Sequence, residues 1–144
     1  MKFFQPWTWV KIAWAQAVVG TVVSLYASEV MGLIPCTLCW YQRIALYPLA
    51  IIFGIAIWRK DTFVFWYGLP LSLIGAAFAL YHSMLQWGWL TKGLFTCVSG
   101  VPCNVATFNL FGFVNFPFLS FLGFGVILVC LWMFKRSLQP AKSI

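Results

Sequence analysis

The stretch PCTLCWYQR, residues 35–43, separates two long apolar runs and organises the rest of the chain around it. Pro35 lacks a backbone N–H and fixes its own φ, so it stops one helix and suits the first turn of the next. Cys36 and Cys39 are then expected in that first turn, where unpaired N–H groups and the helix dipole favour the thiolate form. Arg43 follows Cys39 by four residues and shares its helical face. The stretch therefore predicts a reactive dithiol with a cation one turn deeper, close enough to reach the Cys39 sulfur.

The composition predicts an integral membrane protein. Of the 144 residues, 63% are hydrophobic and only 8% are charged, which is more apolar surface than a water-soluble domain can cover. Each bilayer crossing needs about 20 apolar residues. Four apolar runs, at residues 12–33, 36–58, 63–87 and 113–134, satisfy this requirement. We expect an all-α, four-transmembrane-helix bundle that forms a single domain over residues 1–144, with a short outer loop between helices 1 and 2 and a longer, cysteine-bearing one between helices 3 and 4.

The net charge of +7 does not indicate nucleic-acid binding, because of where the basic residues lie. Seven of the nine fall in three clusters on alternate connections between the spans: Lys2 and Lys11; Arg59 and Lys60; Lys135, Arg136 and Lys142. By the positive-inside rule, both termini are expected in the cytoplasm of a cell whose plasma or inner membrane holds the protein. The cysteine pairs then face the extracytoplasmic side, where disulfides persist.

Five cysteines form two pairs, Cys36–Cys39 and Cys97–Cys103, and a lone Cys130. A bridge within C-x-x-C is a poor structural staple because the loop it closes is very short, and this favours a redox role. Two structural disulfides are one alternative, and a zinc site of four thiolates is another. Zinc would need reduced thiols on the oxidising side, so no metal is expected. Cys130 lies midway along an apolar run and is expected to be a small buried hydrophobe.

Three polar residues are expected near the dithiol inside the membrane. Arg43 lies within the second span, where an ionisable residue is a functional candidate by default; snorkelling or an ion pair with Glu29 is the structural alternative. His82, the only histidine, should lie about 10 Å below the outer end of the third span, with Gln86 one turn above it. A helix–helix hydrogen bond is the structural alternative for His82, and a pocket shared with Arg43 is the functional one.

An oxidised dithiol needs an electron acceptor, and the sequence has no haem pair, Fe–S spacing or Gly-rich nucleotide loop. A lipid-soluble quinone fits the remaining possibilities. Its ring could stack beside a thiolate, and its carbonyls could accept hydrogen bonds from Arg43 and His82.

These residues, together with the HSMLQ run at 82–86 and the cysteine pair before the last span, resemble the DsbB-type membrane thiol–disulfide oxidoreductases. The resemblance covers nearly the whole chain and is strongest to the compact Gram-positive branch, BdbC. It implies a disulfide bond formation enzyme that reduces a quinone, menaquinone or ubiquinone, with Arg43, His82 and Gln86 as quinone contacts. The implied partner is an extracytoplasmic thioredoxin-fold thiol oxidase of the DsbA or BdbD kind.

The resemblance also implies a role for each paired cysteine. Cys97 would form the mixed disulfide with the reduced partner, and the released Cys103 would attack Cys36. Cys39 would then be the thiolate beside the quinone. Exported proteins would receive their disulfides from the partner that this relay reoxidises.

Two other classes fit part of the pattern. Vitamin K epoxide reductase-like proteins also combine a four-helix core, outer cysteines and a quinone. Their C-x-x-C follows the loop pair, however, whereas here it precedes that pair. The non-enzyme alternative is a membrane scaffold or metal-handling protein with structural cysteines, which acceptor-dependent thiol oxidation would exclude.

Overall fold

The computed structural model describes residues 5–90 and 115–138. These residues form four α-helices, α1 (Pro6–Glu29), α2 (Thr37–Arg59), α3 (Val64–Gln86) and α4 (Phe116–Leu138). Each is long and apolar enough to cross a membrane. The predicted all-α fold of four membrane-spanning helices is thereby confirmed. The loop that carries Cys97 and Cys103 lies outside the described residues.

The four helices form a closed ring. Each packs against its neighbour in chain order, and α4 completes the ring by packing against α1. Large apolar side chains such as Val22, Ile51, Ile74 and Val129 point outward and are exposed. A lipid environment suits that exposed surface, because the hydrocarbon core of a bilayer solvates apolar side chains.

Small residues let the helices approach each other closely. A Cβ on Gly75 of α3 would run into the ring of Phe124 on α4, and a Cβ on Gly68 would lie 2.8 Å from Cε1 of Phe53. Lipid tails are as apolar as leucine, so helix association in a membrane depends on this close packing. Cys130 lies in the same core with 4% of its surface exposed. It is the small buried hydrophobe that the sequence predicts.

Basic residues gather at one end of the ring. Lys60, after α2, places its Nζ 5.1 Å from the ring centroid of Trp7 at the start of α1. Lys135, near the end of α4, places its Nζ 4.4 Å from the ring of Phe65. Cations over aromatic faces are attracted by the ring quadrupole. The contacts bring the start of α1, the α2–α3 turn and the end of α4 together.

The α2–α3 turn at this end is closed by Asp61. Its Oδ2 accepts a hydrogen bond from the Tyr67 hydroxyl at 2.7 Å, and its Oδ1 accepts the Phe63 N–H at 2.9 Å. These two hydrogen bonds, the Tyr67 one first, lower the pKa of the Asp61 carboxyl. Lys60 enters the turn with a left-handed backbone, φ 55°. The opposite end of the ring holds the start of α2.

Candidate dithiol site

The dithiol lies at the N-terminal end of α2. Cys36 is the N-cap residue, with extended backbone angles of φ −71° and ψ 170°. Its sulfur accepts the otherwise free N–H of Cys39 at 3.4 Å, which satisfies one of the unpaired donors of the first turn. Because α2 begins at Thr37 with Cys36 as its N-cap, Pro35 is the residue before the cap and does not enter the first turn.

The two sulfurs face each other at the rim of the bundle. The Sγ atoms of Cys36 and Cys39 are 3.0 Å apart, and both cysteines are free thiols. Cys36 is buried, with 6% of its surface exposed, and Cys39 is half-buried. Small side-chain rotations would bring the two sulfurs to the disulfide distance of about 2.05 Å, and an acceptor that takes two electrons and two protons would then convert the pair into a disulfide.

His82 reaches the dithiol from α3 and contacts Cys36 rather than Cys39. Its Nε2 lies 3.7 Å from the Cys36 sulfur, and only 1% of the histidine is exposed. Gln86, one turn further along α3, places its amide nitrogen 3.4 Å from the same Nε2. His82 is therefore positioned to act on the N-cap sulfur, with Gln86 beside it as the four-residue spacing predicts.

Gln42 is the site residue for which the sequence predicts no role. Its Nε2 lies 3.1 Å from Nδ1 of His82, and 7% of the residue is exposed. The sequence does contain one indication of a role for Gln42, which is a polar amide within an apolar span, three residues after Cys39. Such residues usually bond across a helix interface.

A thiolate at Cys36 is favoured by this arrangement. Cys36 precedes the span Thr37–Arg59, and its pKa lies below the ordinary cysteine value. The hydrogen bond from the Cys39 thiol lowers this pKa most, burial opposes that effect, and the contact with His82 lowers it further. These contacts favour the thiolate form of Cys36.

Arg43 lies beside the dithiol but bonds elsewhere. Its Nη2 donates to the backbone oxygen of Ser24 on α1 at 2.9 Å, and its guanidinium carbon lies 5.5 Å from the centroid of the Trp40 ring. The expected reach to the Cys39 sulfur is not seen as a hydrogen bond among the described residues. The alternative, an ion pair with Glu29, is not formed among the described residues either.

A cavity of about 380 Å³ opens beside the dithiol. Residues of α1 and α4, most of them apolar, make up more than half of its lining, and the polar residues named above line it together: Cys36, Cys39, Gln42, Arg43, His82 and Gln86. The Oε1 atom of Gln86 is buried and has no hydrogen-bond partner. Five of the seven site residues expected from the sequence thus share one pocket, while Cys97 and Cys103 lie outside the described residues.

The same side chains also resemble a metal site. One ligand atom each from Cys36, Cys39 and His82 lies within 4.8 Å of the others, and two thiolates with an imidazole suit zinc or another soft cation. This donor set keeps metal binding as a competing interpretation. The four-thiolate site that the spacing permits involves cysteines outside the described part of the chain.

The fold and the dithiol together define a class, the multi-pass membrane thiol–disulfide oxidoreductases. The family model "Disulfide bond formation protein DsbB" matches residues 5–134. The chain belongs to this DsbB family.

Curated relatives agree with that assignment. The chain is 43% identical over 123 residues to "Disulfide bond formation protein C" of Bacillus subtilis (strain 168), covering 85% of this chain and 89% of the relative. It is 43% identical over 133 residues to "Probable disulfide formation protein C 2" of Bacillus anthracis, covering 92% and 94%. A "Probable disulfide formation protein" of Metapseudomonas resinovorans is 38% identical over 135 residues, covering 93% and 94%. No solved structure gives a significant match.

Proposed function

We propose that this protein reoxidises an extracytoplasmic thioredoxin-fold thiol oxidase and delivers the electrons to a membrane quinone. The reduced partner exchanges with the Cys97–Cys103 disulfide, which becomes a dithiol as the partner is oxidised. That dithiol then reduces the Cys36–Cys39 disulfide through a second exchange. The net result is an oxidised partner that can again form disulfides in exported proteins.

The cavity beside the dithiol supports a quinone as the acceptor. Its volume of about 380 Å³ lies in the range of small-molecule pockets, and its walls combine apolar surface with a few polar groups. Gln86 brings an amide with a buried, unpartnered oxygen, and an amide can serve an acceptor or a donor by turning over. A quinone bound there would accept two electrons and two protons from the dithiol.

The residues around the dithiol have distinct tasks in this proposal. His82 places its Nε2 3.7 Å from the Cys36 sulfur and would stabilise a thiolate there by donating to it. Arg43 lines the cavity with a permanent charge, which can hold a ligand carbonyl. Apolar side chains of α1 and α4 keep the pocket dry, which strengthens both interactions.

The orientation of the bundle follows from its charges. The described basic clusters gather at the end opposite Cys36 and Cys39, as the contacts of Lys60 and Lys135 with aromatic rings indicate. The positive-inside rule assigns that basic end to the cytoplasm. The dithiol then faces the oxidising side, where its partner would be found.

The observation that carries the proposal is the convergence of a dithiol, a cation and a histidine on one cavity between helices that are long and apolar enough to span a membrane. Its test is quinone reduction, followed by absorbance, by the purified protein given a reduced thioredoxin-fold substrate. We expect turnover in the wild type and in Cys130→Ala, whose cysteine lies away from the cavity, and none in Cys39→Ala. Absence of turnover in the wild type, or undiminished turnover in Cys39→Ala, would contradict the relay.

Metal binding is the competing function that the donor set of Cys36, Cys39 and His82 favours. Elemental analysis of the protein purified under reducing conditions distinguishes the two. Stoichiometric zinc that is lost in His82→Ala, together with no quinone reduction, would favour a metal-handling protein. A metal-free dithiol that reduces quinone favours the relay.

A further inference from the structure

The amide of Gln42 contacts His82, and the proposed relay assigns this contact no role. Gln42 on α2 is buried, and its Nε2 lies 3.1 Å from Nδ1 of His82 on α3. The other ring nitrogen, Nε2, faces the Cys36 sulfur at 3.7 Å and the amide nitrogen of Gln86 at 3.4 Å. The histidine is therefore held between two amides, one at each nitrogen.

Proton counting limits how these groups can be bonded. A neutral imidazole carries one proton, so one ring nitrogen donates and the other accepts. Two amide N–H groups donating to both nitrogens would need a ring with no proton at all. Both amide contacts can therefore be hydrogen bonds to a neutral ring only if one amide presents its oxygen. Either Gln42 donates to Nδ1 and Gln86 accepts from Nε2–H, or Gln42 accepts from Nδ1–H and Gln86 donates to Nε2.

The surroundings of Nε2 select between these two arrangements. A thiolate at Cys36 can only accept a hydrogen bond. It can therefore bond to His82 only when Nε2 carries the proton. With Gln86 turned so that its oxygen accepts from His82, its NH₂ group takes the place of the buried Oε1 that has no partner. That NH₂ is a donor, which is what a quinone carbonyl needs. In the second arrangement Nε2 has no proton to offer the thiolate, and the buried Oε1 of Gln86 stays without a partner.

We propose that Gln42 is a positioning residue that holds the proton of His82 on Nε2, toward the Cys36 sulfur and the cavity. The amide N–H of Gln42 occupies Nδ1 and leaves Nε2 as the donor. Gln42 acts through the histidine, and no hydrogen bond joins it to either sulfur among the described residues. The use of this proton in the relay rests on the proposed function, but the position of the proton on the ring can be measured without it.

The tautomer can be read directly, because His82 is the only histidine in the chain. Protein labelled with ¹⁵N-histidine gives two ring-nitrogen signals, and two-bond ¹H–¹⁵N correlations at alkaline pH show which nitrogen carries the proton. The measurement uses the reduced full-length protein in detergent micelles, with no quinone or partner added. We expect the wild type to be protonated on Nε2. A wild-type proton on Nδ1 would overturn the proposal.

Two substitutions of Gln42 give opposite expectations. Gln42→Leu removes the donor, so the signals should shift toward a mixture of tautomers. Gln42→Glu offers an ionised carboxylate that only accepts, so the ring proton should move to Nδ1. This variant still tests the proposal if Gln42→Leu does not fold. Gln16→Leu makes the same change elsewhere on the cavity wall and should leave the wild-type pattern. Wild-type signals in both Gln42 variants would refute the role of Gln42.

The consequence for Cys36 is tested by alkylation, with the modified peptide quantified by mass spectrometry. Gln42→Leu should slow alkylation of Cys36 at neutral pH severalfold, and no more than His82→Ala does. Adding Gln42→Leu to His82→Ala should cause no further loss, because the amide acts only through the ring. An additive loss would show that Gln42 acts on the sulfur independently. Tautomer data that agree while quinone reduction fails would refute the quinone relay and leave this inference standing.

Discussion

Arg43→Ala should raise the apparent KM for quinone by about 10- to 100-fold. Arg43 uses one donor on the Ser24 oxygen at 2.9 Å, and a guanidinium has five, so donors remain for the cavity that it lines. A hydrogen bond to a charged group contributes about 1.5–3 kcal/mol. Since about 1.4 kcal/mol corresponds to tenfold in a binding constant, losing one such contact gives the stated range.

Arg43→Lys should have a smaller effect, of about tenfold or less, because lysine keeps the charge but lacks the planar fork. Tyr47→Phe is the matched control. The Tyr47 hydroxyl donates to Ser24 Oγ at 3.4 Å, so this change weakens the same α1–α2 interface. Tyr47 does not line the cavity, and its variant should keep the wild-type KM.

The assay is steady-state quinone reduction with reduced partner in excess, combined with thermal unfolding of each variant. Thiol exchange between the partner and the loop cysteines, measured without quinone, should change little in Arg43→Ala. If Arg43→Ala lowers the melting temperature as Tyr47→Phe does but keeps the wild-type KM, Arg43 only stabilises the packing of α1 against α2. If it blocks exchange in the pre-oxidised enzyme without quinone, its role lies in the dithiol exchange.

Three further predictions concern packing, reactivity and orientation. Gly75→Ala should destabilise the fold by about 1–3 kcal/mol in reversible unfolding, because its Cβ meets the buried Phe124 ring, whereas Gly125→Ala meets nothing within 4 Å and should be close to neutral. Because the pKa of Cys36 is lowered, its alkylation by iodoacetamide should stay fast as the pH falls through about 8.5, the value at which an ordinary thiol loses its thiolate; a profile like that of free cysteine would contradict the thiolate assignment. An impermeant maleimide should label Cys97 or Cys103 in reduced intact cells, and labelling only after lysis would contradict the outward orientation.

Much of the site was predictable from spacing along the chain. C-x-x-C at the start of an apolar run predicts a dithiol at a helix terminus, and Cys36 and Cys39 lie there. Counting residues from the span ends predicts that Arg43 and His82 lie at similar depth, and both line the cavity. Depth along a helix follows from the rise per residue alone.

The direction in which each side chain points was not predictable in the same way. These helices are apolar on both their lipid-facing and their packed sides. A sequence of this kind has no hydrophobic stripe that marks the inner face. The rotation of each helix about its axis therefore depends on the fit of side chains such as Phe124 against Gly75.

By itself the sequence determined the class, the number of membrane-spanning helices and the position of the dithiol, because these depend on local composition and residue spacing. Only the tertiary structure decided that His82 meets Cys36, that Gln42 holds the far side of the histidine, and that Arg43 bonds to Ser24. Those contacts join residues on different helices. They depend on how the helices rotate and pack against one another, and in a membrane that choice is made by close packing and interhelical hydrogen bonds rather than by burial of apolar surface.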